Sequence, residues 1–432
     1  MNVFITTIGT RGDVQPFIAL GCGLHEAGHT VTVCTSPRYE LLITERGLRF
    51  GYLSDDLIAL VESAEGRAAI EDLSSLIKGL RTTVRLIRQT GPIQRAMIRE
   101  GWTAAHAADP DLIVYHPKMS VALQYAEALG VPAVMGTLFP VFLPTAAFPN
   151  LGLPPLNLGP VLTPLYNRAT HHLVLKLTSL VSRWFYSPWR AEHGLPPLPL
   201  GWDVAHRTDG ARVPFLNGWS PHVAPNPPDW PSDVETTGYW FLDRPARWTP
   251  PAALEAFLQA GPPPVYVGFG SMAGRDPART ARLVVEALRR AGKRGILASG
   301  WGGLSPRELP DPVFLLDRAP HDWLFPRVAA VVHHGGAGTT AAGLRAGRPT
   351  VVCPFFGDQP FWGRRVHALG AGPAPIPQNE LTAARLAGAL RTATARPSIQ
   401  ARAAEVGRRL RREDGVGAAV ARIERLLDGE AA

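Results

Sequence analysis

A chain of 432 residues exceeds one ordinary domain of roughly 150 residues, and its 46% apolar composition is enough for two or three hydrophobic cores. Its net charge of +8 invites a nucleic-acid partner, yet of 44 basic side chains only Lys78, Lys118, Lys176 and Lys293 are lysines; so strong an arginine bias, beside 43 Gly and 42 Pro, reads as the imprint of a GC-rich genome, and no nucleic-acid partner is expected. Cys22, Cys34 and Cys353 are odd in number and lack CxxC spacing, no basic leader precedes the first strand, and no apolar run is long enough to cross a bilayer, so a reduced, cytoplasmic protein is expected, with any membrane contact peripheral.

The chain opens with a strand-like run (Val3 to Thr7), a glycine-containing turn, a helical pattern from Val14 to Ala27 and a second apolar run from Thr30 to Cys34, which is a βαβ unit. Asp111 to Tyr115, a helical stretch from Ser120 to Leu129 and Pro132 to Met135 repeat the alternation, so a parallel sheet covered on both faces is predicted. Residues 55–108 and 138–200 are richer in aromatics, Pro and irregular apolar runs and are candidates for the walls of a pocket. Within the first, Leu76 to Ile98 interleaves Arg81, Arg85, Arg88, Arg95 and Arg99 with Leu80, Val84, Ile87 and Met97. It reads as a basic amphipathic helix or helix pair, with a solvated face as the default and an anionic lipid surface as the sharper alternative.

From Trp219 to Pro251 the sequence is dense in Pro, Trp, Asp and Gly and reads as a linker. Alternation then restarts with Val265 to Phe269, a helix to Arg290, Gly295 to Ala298, Val313 to Leu316, Ala329 to Val332, a helix from about Thr339 to Arg345, and Thr350 to Cys353. The predicted division is residues 1–218 as an N-terminal domain, 219–251 as linker, 252–412 as a C-terminal domain, and 413–432 as a helix returning to the first domain. The expected class is α/β, with two Rossmann-like domains whose parallel sheets face each other across a cleft.

The most informative stretch is Val331-Val332-His333-His334-Gly335-Gly336-Ala337-Gly338-Thr339-Thr340, where a buried-looking strand ends in glycines that open a helix. Unpaired N–H groups and the positive end of the helix dipole make such a junction an anion site, with hydroxyl donors from Thr339 and Thr340 and a ring donor from His334. It lacks the Gly-Lys-Ser/Thr ending of a Walker loop and the GxGxxG of a dinucleotide site. Asp358 and Gln359 follow the next strand, and such a pair offers acceptors and donors to the hydroxyls of a sugar; a helix cap followed by an exposed Gln is the plain alternative.

With these residues in view, the chain resembles the large UDP-sugar glycosyltransferase family of GT-B fold, which includes plant secondary-product, sterol and bacterial antibiotic enzymes. Residues 318–359 resemble its donor signature, and Gly9-Thr10-Arg11-Gly12-Asp13-Val14-Gln15-Pro16 is similar to the sterol and glycopeptide branch. The resemblance implies that His334 contacts the donor diphosphate together with Gly336, Ala337, Gly338 and Thr339, and that Asp358 and Gln359 bind the sugar. Gly270 and Ser271 would make a second phosphate contact, beside Gly12 in the first domain, and Ala319, His321 and Trp301 would line the uracil side. Where plant relatives place a Trp and a Glu against base and ribose, this chain has Arg318 and Ala342, so a dTDP donor stays open alongside UDP-glucose.

The resemblance makes Asp13 the general base; read from residues alone, Asp13 is equally a cap for the helix near Val14. A carboxylate of pKa about 4 cannot ionise an alcohol of pKa roughly 16 in a separate step, so proton transfer would accompany attack and the anomeric centre would invert. No metal-ligand spacing is found, so neither metal nor cofactor is expected beyond the nucleotide-sugar co-substrate. The acceptor expected is an apolar hydroxylated molecule such as a sterol, terpenoid or polyketide, with His171 and His172 as candidate pocket residues and the other histidines structural. A nucleotide-sugar epimerase of the same fold and a silent sugar-nucleotide-binding protein are the alternatives.

Overall fold

The computed structural model describes residues 1–62, 76–245, 247–270, 277–298 and 309–428. Ser271 and Trp301 lie outside the described residues. The chain divides into two compact units, one of residues 1–221, 225–242 and 414–432, the other of residues 222–224 and 243–413.

In the first unit the order is β1 (Asn2–Thr6), α1 (Arg11–Glu26), β2 (Thr30–Thr35), α2 (Glu40–Thr44), β3 (Arg49–Tyr52), α3 (Asp56–Glu62), α4 (Leu76–Ala108), β4 (Leu112–Tyr115), α5 (Ala122–Leu129), β5 (Ala133–Thr137), α6 (Gly159–Glu192), β6 (Phe215–Asn217) and β7 (Glu235–Thr236). All pairings are parallel, in the order β3-β2-β1-β4-β5-β6-β7. The order reverses between β1 and β4, and in an open α/β sheet the crevice beyond the carboxyl ends of those two strands is where ligands bind.

Two sequence readings change here. Residues 219–251 are not a bare connector: β7 joins the first sheet, and Trp219, Trp230 and Trp240 are buried. Residues 138–200 are not mainly irregular, since α6 runs 34 residues through Pro164 and Pro188. The stretch read as a basic helix or helix pair is one helix, α4, passing through Pro92. The side chains of Arg81, Arg85 and Arg88 lie outside the described ones, whereas Met97 and Ile98 are buried.

The second unit continues with α7 (Ala252–Gln259), β8 (Val265–Gly268), α8 (Pro277–Ala291), β9 (Gly295–Ala298), β10 (Val313–Leu316), α9 (His321–Leu324), β11 (Ala330–His333), α10 (Ala337–Arg345), β12 (Thr350–Val352), α11 (Gln359–Ala368), α12 (Ala383–Ala395) and α13 (Pro397–Leu410). Its parallel sheet has the order β10-β9-β8-β11-β12, reversing between β8 and β11. Successive side chains of a strand point to opposite faces, so Val265 and Val267 enter one core with Leu288 and Leu390, while Tyr266 enters the other with Trp323 and Phe325. The last helix, α14 (Gly415–Leu427), belongs to the first unit and packs on α1. The close approach is made at Gly23, where a Cβ would lie 2.4 Å from Val416 Cγ1.

Candidate active-site residues on the two units

The first switch point gathers three side chains. Asp13 follows β1 and lies in the first turn of α1, because the helix begins at Arg11, three residues earlier than the apolar pattern suggests. Thr10 is its N-cap residue, and the Asp13 carboxylate reaches back over the turn: Oδ2 accepts from Thr10 N–H at 2.8 Å and from the Thr10 hydroxyl at 3.1 Å. The cap reading of Asp13 is therefore part of its geometry. The other oxygen, Oδ1, accepts from Lys118 Nζ at 2.8 Å.

Lys118 and His116 come from the end of β4, the strand beside β1, and sequence reading missed both. His116 is fully buried, and its Nδ1 accepts from Lys118 N–H at 3.1 Å, which puts the proton of the neutral ring on Nε2. That Nε2 stands 3.7 Å from Asp13 Oδ1, too far for a hydrogen bond, and has no partner among the described residues. Burial drives the imidazole pKa down to about 3, so the ring is neutral at ordinary pH and offers Asp13 an N–H dipole rather than a charge. Burial would raise the Asp13 carboxyl, but Lys118 first, then the His116 dipole and the Thr10 N–H, outweigh it and hold the pKa below its ordinary value. The side chain keeps 14% exposure, enough to meet a ligand.

Gly9 makes this placement possible. Its φ is +138°, and a Cβ there would fall 2.2 Å from Asp13 Oδ2. Gly9→Ala is expected to expel the carboxylate from the turn and to cost about 1–3 kcal/mol of stability, through strain and the lost Thr10 bonds, as read by the thermal midpoint. Gly12 is exposed beside it.

The second switch point lies beyond β8 and β11. Gly335, at φ +96°, turns the chain after β11 in a conformation that favours glycine, and a Cβ there would meet Val352 Cγ1 at 2.7 Å and the Gln359 carbonyl at 2.9 Å. Gly336 is the N-cap of α10, whose first turn carries no acidic residue. The first hydrogen bond of the helix is Thr340 N–H to Gly336 O, so the N–H groups of Ala337, Gly338 and Thr339 lack an intrahelical acceptor, and these residues are exposed or half-buried. Thr340 corrects the reading of two hydroxyl donors: it is buried and its hydroxyl donates to Gly336 O at 2.9 Å, leaving Thr339 alone in that role.

The two histidines separate cleanly. His333 is fully buried, and its Nδ1 accepts from Gly335 N–H at 2.9 Å, bracing the turn. His334 is half-buried, its Nδ1 has no partner among the described residues, and burial lowers its pKa to about 4. A Cβ on Gly336 would sit 2.7 Å from His334 Nε2, and one on Gly270, after β8, would sit 4.0 Å from His334 Cε1. The ring thus lies over the glycines of both strand ends.

After β12, Gln359 packs against the Gly335 turn, with Asp358 just before it. Asp358 stands at the N-cap position of α11 and its carboxylate accepts from Trp362 Nε1 at 2.8 Å. Gln359 is buried rather than exposed; its Oε1 accepts from Phe355 N–H at 2.8 Å, which fixes the amide with Nε2 as its donor. His321 stacks on Phe325 with centroids 4.2 Å apart, and Ala319 is half-buried beside that cluster. His171 and His172 part company, the first buried with Nε2 at 3.0 Å from Phe148 O, the second exposed. Among the described residues no three His, Cys, Asp or Glu side chains gather as they would around a metal ion.

Comparison with known proteins agrees with this architecture. Residues 3–148 match the glycosyltransferase family 28 N-terminal domain, and residues 303–414 match the erythromycin biosynthesis protein CIII-like C-terminal domain. The structure superposes on the glycotransferase of kitacinnamycin with a TM-score of 0.70, 20% identity and 98% coverage of both chains. It also superposes on the calicheamicin glycosyltransferase with a TM-score of 0.62, 18% identity, and 100% and 99% coverage. The fold is therefore GT-B. Two sterol 3-beta-glucosyltransferases of Arabidopsis thaliana are each 36% identical, over 97% and 100% of this chain and 64% and 69% of their own lengths. One of Emericella nidulans is 36% identical over 99% of this chain and 30% of its own length. The chain belongs to the glycosyltransferase family of the sterol 3-beta-glucosyltransferases, and spans about two thirds of the plant members and under a third of the fungal one.

Proposed function

We propose that this chain transfers glucose from a nucleotide sugar, UDP-glucose first among the candidates, to the hydroxyl of a sterol or similar apolar alcohol, with inversion at the anomeric carbon. The observation that carries the donor half is the β11–α10 junction, where three N–H groups without intrahelical acceptors stand beside a histidine nitrogen with no partner among the described residues, and no acidic residue lies in the first turn of the helix. In this reading Ala337, Gly338, Thr339 and His334 hold the diphosphate, and Gly270 and Gly336 let it approach the backbone. Asp358 and the Nε2 of Gln359 take the sugar hydroxyls. The positive helix end and the histidine N–H stabilise the departing diphosphate without a divalent ion.

On the other unit, Asp13 accepts the proton of the attacking hydroxyl as the C–O bond forms and the anomeric bond to the diphosphate breaks. Lys118 and His116 are positioning residues that keep the carboxylate ionised and aimed. The sterol acceptor rests on the family, and since sterols are dissolved in membranes the reading includes peripheral contact with a lipid surface; among the described residues no helix is long and apolar enough to cross one.

The test is a mass-spectrometric screen of UDP-glucose and dTDP-glucose against sterols, flavonoids and macrolides. A sterol gaining one hexose from UDP-glucose is the expected result. Consumption of UDP-glucose without any acceptor would replace this reading with an epimerase.

A further inference from the structure

Helix α6 is apolar on both sides: its buried face includes Leu175, Phe185, Tyr186 and Trp189 among polar residues, and a second apolar stripe faces out. Its inner face buries Asn167, Thr170, His171, Ser179, Ser182 and Arg190, and these polar groups are hydrogen-bonded inside: Asn167 Nδ2 donates to Ala146 O at 2.8 Å, Ser179 Oγ to Leu175 O at 2.7 Å, and Arg190 pairs with Glu127 at 2.7 Å. Its outer face carries Val161, Leu162, Leu165, Leu173, Leu177, Leu180, all at least half exposed, and ends at Trp184, 52% exposed. From Leu173 to Trp184 the spacings are four, three and four, and Leu165 lies eight residues before Leu173, which places them on one stripe. At about 1.5 Å per residue the helix is roughly 50 Å long, so this is a long apolar ridge, larger than the scattered leucines of an ordinary surface.

The charges along the ridge are of one sign. Between Glu127 and Glu192 the sequence contains no acidic residue. Lys176 lies within the stripe and Arg183 at its edge, and among the described residues neither pairs with a carboxylate; Arg183 donates to Pro199 O at 2.9 Å. Arg95, from α4, lies 5.5 Å over the Trp184 ring. Arg168 is the exception, paired with Asp229 at 3.1 Å.

A second copy of the chain is a poor cover for this face, because a two-fold contact sets a surface against itself, and the helix's one carboxylate, Glu192, sits at its last residue beyond the stripe and faces Arg99 at 3.7 Å. An apolar ridge edged with cations and ended by a tryptophan matches instead the boundary of an anionic bilayer, where leucines enter the acyl region, Trp sits at the headgroups and Lys reaches phosphate. We propose that the outer face of α6 is a docking surface for an anionic lipid membrane, with the helix lying in the plane of the interface. The inference deepens the peripheral lipid contact included in the transferase reading by naming its surface, and its test reads lipid binding alone, with no donor or acceptor turned over.

The test is cosedimentation of the full chain with phosphatidylcholine vesicles with and without phosphatidylserine, alongside sedimentation velocity without lipid. Preference for the phosphatidylserine vesicles is expected. Affinity should fall about tenfold or more in Leu177→Glu/Leu180→Glu and about fivefold in Lys176→Gln, with unchanged thermal midpoints because all three side chains are exposed. A wild-type chain that stays in the supernatant, or a double variant that binds vesicles as well as the wild type, overturns the proposal. So does a dimer dissolved by the double variant while vesicle binding persists, which would make the ridge a self-interface.

Discussion

Replacing Asp13 with asparagine is expected to lower the transfer rate by about 10²- to 10⁴-fold, the usual worth of a general base, while nucleotide affinity is retained. Asparagine preserves the shape and can still accept from Thr10 N–H, so α1 keeps its first turn. The lost charge removes both the proton acceptor and the partner of Lys118. Because Asp13 is held below its ordinary pKa, it is ionised throughout the neutral range, and activity is lost only as pH falls through that depressed value. Lys118→Met takes away the largest opposing influence on a buried carboxyl, so the acid limb of the kcat/KM profile should move to higher pH while the reaction persists. A variant Asp13→Asn with undiminished kcat would leave the residue as a helix cap and nothing more.

How far the sequence discloses this arrangement depends on the distance over which each interaction acts. Strand–turn–helix junctions are legible because they are local: an apolar β-branched run followed by glycines carries its own turn, as at Val331 to Gly338. The meeting of Asp13 with Lys118 is not local. It depends on β1 and β4 being neighbours in the sheet, and nothing in a span of 105 residues marks it except the general rule that catalytic groups gather at a switch point. His116 looks like one of many scattered histidines until its Nδ1 is seen capping the turn after β4.

Helix α6 escapes sequence reading for a different reason. Its three prolines argue against a helix, and apolar residues lie on both its buried and its exposed sides, so no single 3.6-residue period stands out. Prolines 160 and 164 fall in its first two turns, where missing N–H groups cost little. The linker reading of 219–251 is incomplete because Pro and Gly density records irregular backbone, not exposure: the chain passes from one unit to the other within this stretch, yet Trp219 and Trp240 are buried.

The two adjacent histidines of the β11 turn should separate binding from stability. His334→Ala is expected to weaken UDP binding by about 5- to 150-fold, corresponding to about 1–3 kcal/mol for a hydrogen bond to a charged group, with the thermal midpoint of the free protein little changed. The reason is its position: the ring is half-buried over Gly270 and Gly336, and its Nδ1 has no hydrogen-bond partner among the described residues, so its removal orphans none of them there. His333→Ala should do the reverse. That ring is fully buried and accepts the Gly335 N–H, so its loss empties a core site and leaves a backbone donor unpaired, a cost of about 2–4 kcal/mol in folding. Gly336→Ala completes the set, because its Cβ would stand 2.7 Å from His334 Nε2 and must push the imidazole aside. It should therefore reproduce the binding defect of His334→Ala with the histidine still present. Titration calorimetry with UDP reads all three, and equal UDP affinity in wild type and His334→Ala would remove the histidine from the diphosphate site.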